Sequence, residues 1–328
     1  MKYAANMKEK GKREKPKILI TGGLSFIFSY VTEYFVKKGW EVTVIDNCSV
    51  GSNPHIYDGS FTLHKVDFCT KKGYEIAVRE DPDYFIHAAA RTDVDYSILH
   101  PLETLKNNAL STFNAFEAAR AMDNLHKFMY VATDEVYGDH NKRKDEQEAL
   151  DPRNPYSSSK AIGSLMRKSY ENTYPQLANK IVELRSCNCF GHRQDVTKII
   201  PQLIRSAITG QVVPIHNEGR GYREFIYVEN IPTIVELLLQ EGTGVYNVSG
   251  YGITVRNLVK KVQKVLGVPI NTTPATRVGM DEYYKMDDTR LRLLGWRPRF
   301  AFEKGLRLTY EKTEKALGAK KRSSKTKK

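Results

Sequence analysis

Residues 17–29 read Lys-Ile-Leu-Ile-Thr-Gly-Gly-Leu-Ser-Phe-Ile-Phe-Ser. A short apolar, β-branched run ending in two glycines reads as a buried strand turning into a loop. Phe26, Ile27, Tyr30, Val31, Tyr34 and Phe35 then recur at helical spacing, and Gly39 closes the helix. Strand, glycine loop and helix in that order form the setting of a dinucleotide-binding fingerprint. Working outward, Glu41–Asp46, Phe61–Val66, Asp83–His87, His126–Ala132 and Lys180–Leu184 read as further strands, with helices over Pro101–Ala121 and Tyr156–Tyr174. Strands alternating with helices over about 170 residues predict an α/β fold: a Rossmann-type doubly wound parallel sheet.

After Ser186 the rhythm breaks. Thr197–Thr209, Ile231–Gln240 and Val255–Leu266 read as helices, with short strand-like pieces between them. The expected organisation is a dinucleotide-binding domain over 17–186 and a smaller, irregular α/β substrate domain over 187–317, with room for some of its segments to return to the sheet. In open α/β proteins ligands bind beyond the carboxyl ends of the strands, so such a domain would roof a cleft. Residues 1–16 and 318–328 read as basic flexible tails.

The chain has 328 residues, of which 41% are hydrophobic, enough for a substantial core. Its net charge is +13, but residues 1–17 carry +5 and residues 320–328 carry +6. That concentration at the ends argues against a nucleic-acid-binding face on the folded part and fits solvated tails. No apolar run reaches the ~18–20 residues of a membrane span, and no apolar leader stands near the start. Of the cysteines Cys48, Cys69, Cys187 and Cys189, only the last two are close, and Cys-x-Cys lacks zinc spacing. Reduced thiols, no metal and a cytoplasmic setting are the expectation.

The spacing G-x-x-G-x-x-G falls on Gly22, Ser25 and Phe28. The first glycine makes the tight turn, the second lets backbone approach a pyrophosphate, and the third lets helix and strand pack closely. Ser25 is small and can donate to phosphate. Phe28 sets a ring where close packing is expected. Asp46, about 20 residues on, stands where an acid accepts from the adenosine ribose, which favours NAD over NADP.

Tyr156-Ser-Ser-Ser-Lys160 places a phenol and an ammonium on one helix face. A lysine there is expected to lower the phenol's pKa and fit it to remove a proton from an alcohol. Such spacing is common by chance; its position after Ala132-Thr-Asp-Glu-Val-Tyr-Gly138 gives it weight. Thr133 can bond the same hydroxyl. Most Asp-Glu pairs are solvated turns, but Asp134 and Glu135 end a parallel strand and so face the predicted cleft. His87 ends another strand and reads as packed and hydrogen-bonded.

Thr133–Gly138 followed by Asn154-Pro-Tyr-Ser-Ser-Ser-Lys-Ala161 resembles the extended short-chain dehydrogenase/reductases, and within them the nucleotide-sugar 4,6-dehydratases of the dTDP-glucose 4,6-dehydratase type. The resemblance covers roughly residues 17–312. It continues through His87–Ile98, Asn108, Arg185–Gly191, Lys198–Pro201, Arg223–Glu229, Arg277–Asp281 and Leu294–Pro298. It implies NAD held by Gly22, Ser25, Phe26, Ile27, Asp46, Asp67, Phe68, Ala88, Ala89, Tyr156 and Lys160, with Asp67 and Phe68 bordering the adenine. It implies that Tyr156, helped by Thr133 and Lys160, deprotonates the sugar 4-hydroxyl as C4 is oxidised. Glu135 would then act as base at C5 and Asp134 as acid toward the departing 6-hydroxyl, with hydride returning to C6. The product would be a nucleotide-linked 4-keto-6-deoxy sugar made from dTDP- or UDP-glucose. Asn188, Lys198, Arg223 and Arg277 would hold the substrate diphosphate, and a homodimer would form through 101–121 and 156–174.

The sequence departs from the family pattern at Ser25 and Phe28, at Arg91, Thr92 and Asp93, at Met280, and around Gly250–Ile253. A non-catalytic or weakly active nucleotide-sugar-binding relative, and a 4-epimerase or decarboxylase on the same scaffold, remain open alternatives at this level.

Overall fold

The computed structural model describes residues 14–49, 51–276 and 282–325. Seven parallel strands form the main sheet: β1 (Lys17–Thr21), β2 (Glu41–Asp46), β3 (Thr62–Lys65), β4 (Tyr84–His87), β5 (Lys127–Thr133), β6 (Ile181–Ser186) and, from late in the chain, β10 (Gly244–Val248). Their order is β10-β6-β5-β4-β1-β2-β3. The order reverses beside β1, so the loop after β1 opens at the switch point of the sheet.

Alternation along β1 sorts the core into two layers. Ile18 and Ile20 join one apolar cluster with α1 (Phe26–Lys37) and α7 (Ile231–Glu241). Leu19 joins the other, with α2 (Lys71–Glu80) and α4 (Pro101–Ala121). Both faces are therefore dry, which is why these strands read as unbroken apolar runs. α5 (Pro155–Thr173) packs beside α4, and the short α3 (Val94–Leu99) lies across both.

The second unit surrounds a third apolar cluster. β7 (Asn188–Phe190), β9 (Tyr222–Tyr227) and β11 (Tyr251–Thr254) form a small sheet, and β8 (Val213–His216) pairs with β12 (Thr272–Ala275). α6 (Ile199–Thr209), α8 (Val255–Leu266) and α10 (Phe302–Lys325) pack around it, and α9 (Thr289–Leu293) rests on β10. The return of β10 stitches this unit to the main sheet, pairing Gly244–Val248 with Val182–Ser186. α10 carries the chain to Lys325, past the expected start of a flexible tail at 318, because Ala-Leu-Gly-Ala-Lys-Lys-Arg is mostly helix-forming. No described helix is long and apolar enough to cross a membrane.

Phe28 does not hold α1 off the strands. The ring is buried in the main apolar cluster, which also includes Val136, Tyr137, Cys187 and Cys189. The close approach that the motif's third glycine would provide is made one turn later along α1, where Thr32 Oγ1 donates to the Gly23 carbonyl at 2.9 Å. Phe28→Ala is accordingly expected to cost about 3–5 kcal/mol, and Phe28→Leu about 1.5 kcal/mol or less, in urea unfolding. Equal, small losses would mean that the ring is not a core element.

Candidate active site

The site lies where β5 ends and α5 begins. Thr133 is the last residue of β5, and a single turn, Asp134–Tyr137, follows it. Thr133 Oγ1 donates to Asp134 Oδ1 at 3.0 Å, and the Glu135 N–H donates to Thr133 Oγ1 at 3.4 Å. Opposite, Asn154 caps α5: its Oδ1 accepts from the Ser157 N–H at 2.8 Å, the Ser157 hydroxyl accepts from the Asn154 N–H, and Pro155 occupies the first helical position. The other end of the same side chain, Asn154 Nδ2, donates to Glu135 Oε2 at 2.9 Å. Tyr156 follows two residues after this cap, close enough to Thr133, Asp134 and Glu135 for each to act on its phenol. Thr133, Asp134, Glu135 and Tyr156 are thus assembled in one place, with Lys160 one turn along.

α5 is clamped from three sides. Ser97 Oγ accepts from the Tyr156 N–H at 3.3 Å. Asn108 donates to Ser159 Oγ at 2.8 Å while its carbonyl accepts from the Arg91 N–H at 2.8 Å. Farther along, Arg167 Nε reaches Glu183 Oε2 on β6 at 3.1 Å, and Arg185 Nε reaches Oε1 of the same carboxylate at 2.7 Å. Removing one partner of such a buried set leaves an uncompensated charge.

Burial sets the electrostatics. Asp134 is pushed up to about 7 by removal from water and, next, by the charge of Glu135; the positive charge of Arg223 opposes this. Lys160 is pulled down to about 7 by burial. The expected lowering of the Tyr156 phenol is corrected: burial and the carboxylates of Glu135 and Asp134 hold it well above its ordinary value. Lys160 is not among the groups that act on the phenol. His87 is buried, with Nδ1 2.8 Å from Thr21 Oγ1, and burial keeps it neutral.

The loop after β1 fits a dinucleotide. Gly22 has φ +70°, and a Cβ there would lie 2.8 Å from Ala89 Cα and 3.1 Å from the Ala88 carbonyl carbon, so only glycine allows the two chain segments to approach so closely. No side chain caps the N-terminus of α1 at Ser25, so the first-turn N–H groups at Phe26 and Ile27 are available to an anion. Asp46, at the end of β2, accepts from the Leu24 and Cys48 N–H groups and from the Ser52 hydroxyl. Asp67 accepts from the Cys69 N–H at 2.8 Å, and Phe68 packs edge-on against Phe85 inside the core.

The diphosphate candidates lie on the second unit. Asn188 is exposed at the start of β7, beside Phe225 of β9, and Arg223 stands two residues before Phe225. The Arg223 guanidinium lies over the Tyr284 ring at 4.8 Å and donates to the Tyr222 carbonyl. Lys198 is exposed at the N-cap of α6, apart from those strands in sequence. Arg277 and the Met280 departure lie outside the described residues. The departures after β4 have local roles: Asp93 caps α3 by accepting from the Tyr96 N–H, and Arg91 lies over the Tyr96 ring and pairs with Glu103. Asn154 is the residue that motif reading passed over; its signal was an N-cap asparagine directly before Pro155.

The raised Asp134 makes a stability prediction. Its folded value exceeds its unfolded value, so stability is lost as pH rises from about 4 to about 7, where the buried carboxyl must ionise. Asp134→Asn is expected to unfold at a higher temperature than the native chain above pH 7, with a gain that shrinks toward pH 4. A difference independent of pH would show that Asp134 is not desolvated.

Comparison with known proteins identifies the family. The model of the NAD dependent epimerase/dehydratase family matches residues 18–249. The chain is 32% identical over 319 residues to a trifunctional UDP-glucose 4,6-dehydratase/UDP-4-keto-6-deoxy-D-glucose 3,5-epimerase/UDP-4-keto-L-rhamnose-reductase of Arabidopsis thaliana, covering 90% of this chain and 47% of that one. It therefore spans about half the length of that relative. It is 30% identical to dTDP-glucose 4,6-dehydratase 1 of Escherichia coli, covering 90% of this chain and 92% of the relative. UDP-glucose 4-epimerase of Thermus thermophilus, solved in complex with NAD, superposes with a TM-score of 0.84 at 29% identity, covering 90% of this chain and 98% of the other. The chain belongs to the NAD-dependent epimerase/dehydratase family.

Proposed function

We propose that this chain is a nucleotide-sugar 4,6-dehydratase that converts dTDP- or UDP-glucose to its 4-keto-6-deoxy sugar. The observation that carries the reading is the unequal pair Asp134 and Glu135 beside Tyr156. Epimerisation at C4 needs no second acid–base pair. Elimination of water across C5 and C6 needs a base for the C5 proton and an acid for the leaving hydroxyl. Asp134, buried and pushed up to about 7, retains a proton to give near neutrality. Glu135, half-buried and hydrogen-bonded by Asn154, would act as the base.

Tyr156 must first lose its own proton, which burial resists; as the phenolate, with Thr133 beside it, it would take the proton of the sugar 4-hydroxyl. Gly22, Ser25, Phe26, Ile27, Asp46, Ala88, Ala89 and Lys160 would hold NAD. NAD would supply, in its oxidised form, the hydride acceptor for C4 and a positive charge beside the phenol, and, once reduced, the hydride donor for C6. Asn188, Arg223 and Lys198 would hold the diphosphate, with arginine able to make two parallel bonds to it.

We also propose a homodimer. Leu102 and Phe113 on α4 and Leu165 on α5 are 62%, 48% and 61% exposed, an apolar face unusual for a monomer. Leu102→Glu together with Leu165→Glu is expected to give a monomer in sedimentation, whereas an unchanged sedimentation coefficient would place the interface elsewhere.

Incubation of the full chain with each nucleotide sugar, followed by proton NMR, tests the activity. A C6 methyl signal with a 4-keto carbon is expected. Glu135→Gln and Tyr156→Phe are each expected to lower the rate at least about 10²-fold. A product that keeps its C6 hydroxyl would overturn the dehydratase reading in favour of an epimerase.

A further inference from the structure

We propose that Tyr130 is a positioning residue for Lys160: its ring seats the ammonium, and its hydroxyl fixes the helix turn that carries it. The inference rests on Lys160 belonging to the catalytic pair. Tyr130 lies on β5, fully buried, three residues before Thr133. Lys160 Nζ stands 4.7 Å from the ring centroid, and the Tyr130 hydroxyl donates to the Lys160 carbonyl at 2.8 Å. One side chain therefore grips both ends of the lysine.

A third observation points the same way. Gly163 lies in the interior of α5, where glycine weakens a helix relative to alanine. A Cβ at Gly163 would fall 2.1 Å from Tyr130 Cζ and 2.4 Å from its hydroxyl oxygen. The ring has little freedom to retreat, because it stacks on His87 with centroids 6.2 Å apart and meets Phe116 at 5.9 Å. Gly163 is thus the gap that lets the ring reach under Lys160.

The other groups around Lys160 leave this role to the ring. Tyr156 precedes it by one turn on α5 and stays a neutral phenol through burial. His87 of β4 is neutral. Glu183 of β6 favours the ammonium through its charge, but Arg167 and Arg185 occupy both of its oxygens. Tyr130 of β5 is itself kept neutral by burial and presents a ring face, which attracts a desolvated cation.

The test is the titration of Lys160 in full-length, ¹⁵N-lysine-labelled protein, its Nζ resonance identified by its absence in Lys160→Arg. Tyr130→Leu is expected to lower the midpoint by about one pH unit. Tyr130→Phe, which keeps the ring, is expected to leave the midpoint near the native one. Gly163→Ala, which displaces the ring without touching Tyr130, is expected to lower it, and it decides the matter if Tyr130→Leu does not fold. A midpoint unchanged in Gly163→Ala and in folded Tyr130→Leu would overturn the proposal. Native protein that makes no 4-keto product would sink the functional reading instead, while the titration would still report on Tyr130.

Discussion

The Asn154 side chain connects two elements that the rest of the site depends on. Its carbonyl oxygen starts α5 by accepting a backbone N–H, and its amide nitrogen holds the Glu135 carboxylate that follows β5. A helix begun one residue earlier or later would rotate Tyr156 and Lys160 by about 100° around its axis, away from Thr133. The register of the helix and the orientation of the Glu135 carboxylate are set by one residue. Ser97, Asn108 and the Arg167–Glu183 pair then keep α5 from shifting along the sheet.

Desolvation is the second constraint. Asp134 and Lys160 carry opposite charges in water, and burial draws each toward its neutral form. Glu224 of the second unit is likewise pushed up to about 7 by burial, with a carboxyl oxygen accepting from the Met286 N–H at 3.2 Å. Burial thus brings Asp134, Lys160 and Glu224 toward neutral pH, the range in which groups can exchange protons at pH 7. The second unit adds the Arg223 charge, which acts on Asp134 in the opposite sense to Glu135.

Much of this was legible in the sequence, for physical reasons. Strands buried on both faces show as apolar runs, so β1, β2, β4, β5 and β6 stood out. The Tyr156–Lys160 spacing and the acids Asp134 and Glu135 marked a candidate site because each sits at an element boundary. What stayed hidden depended on distant partners. α2 shows few apolar residues, and of its ten only Gly73, Ile76 and Ala77 are buried. The pairing of β10 with β6 joins segments about 60 residues apart. Phe28 read as an obstacle because a motif has no third dimension; in the fold the ring is part of the core. The phenol's shift was misjudged because the helix spacing of Tyr156 and Lys160 says nothing about how far both are removed from water.

The central claim is that the Tyr156 site carries hydrogen from C4 of a hexose to C6 while water leaves between them. The most direct measurement uses nucleotide-linked glucose bearing deuterium at C4. The account predicts that the 4-keto product carries that deuterium in its C6 methyl group. Recovery of the deuterium at C4 of a sugar with inverted configuration, or its loss to solvent, would contradict it.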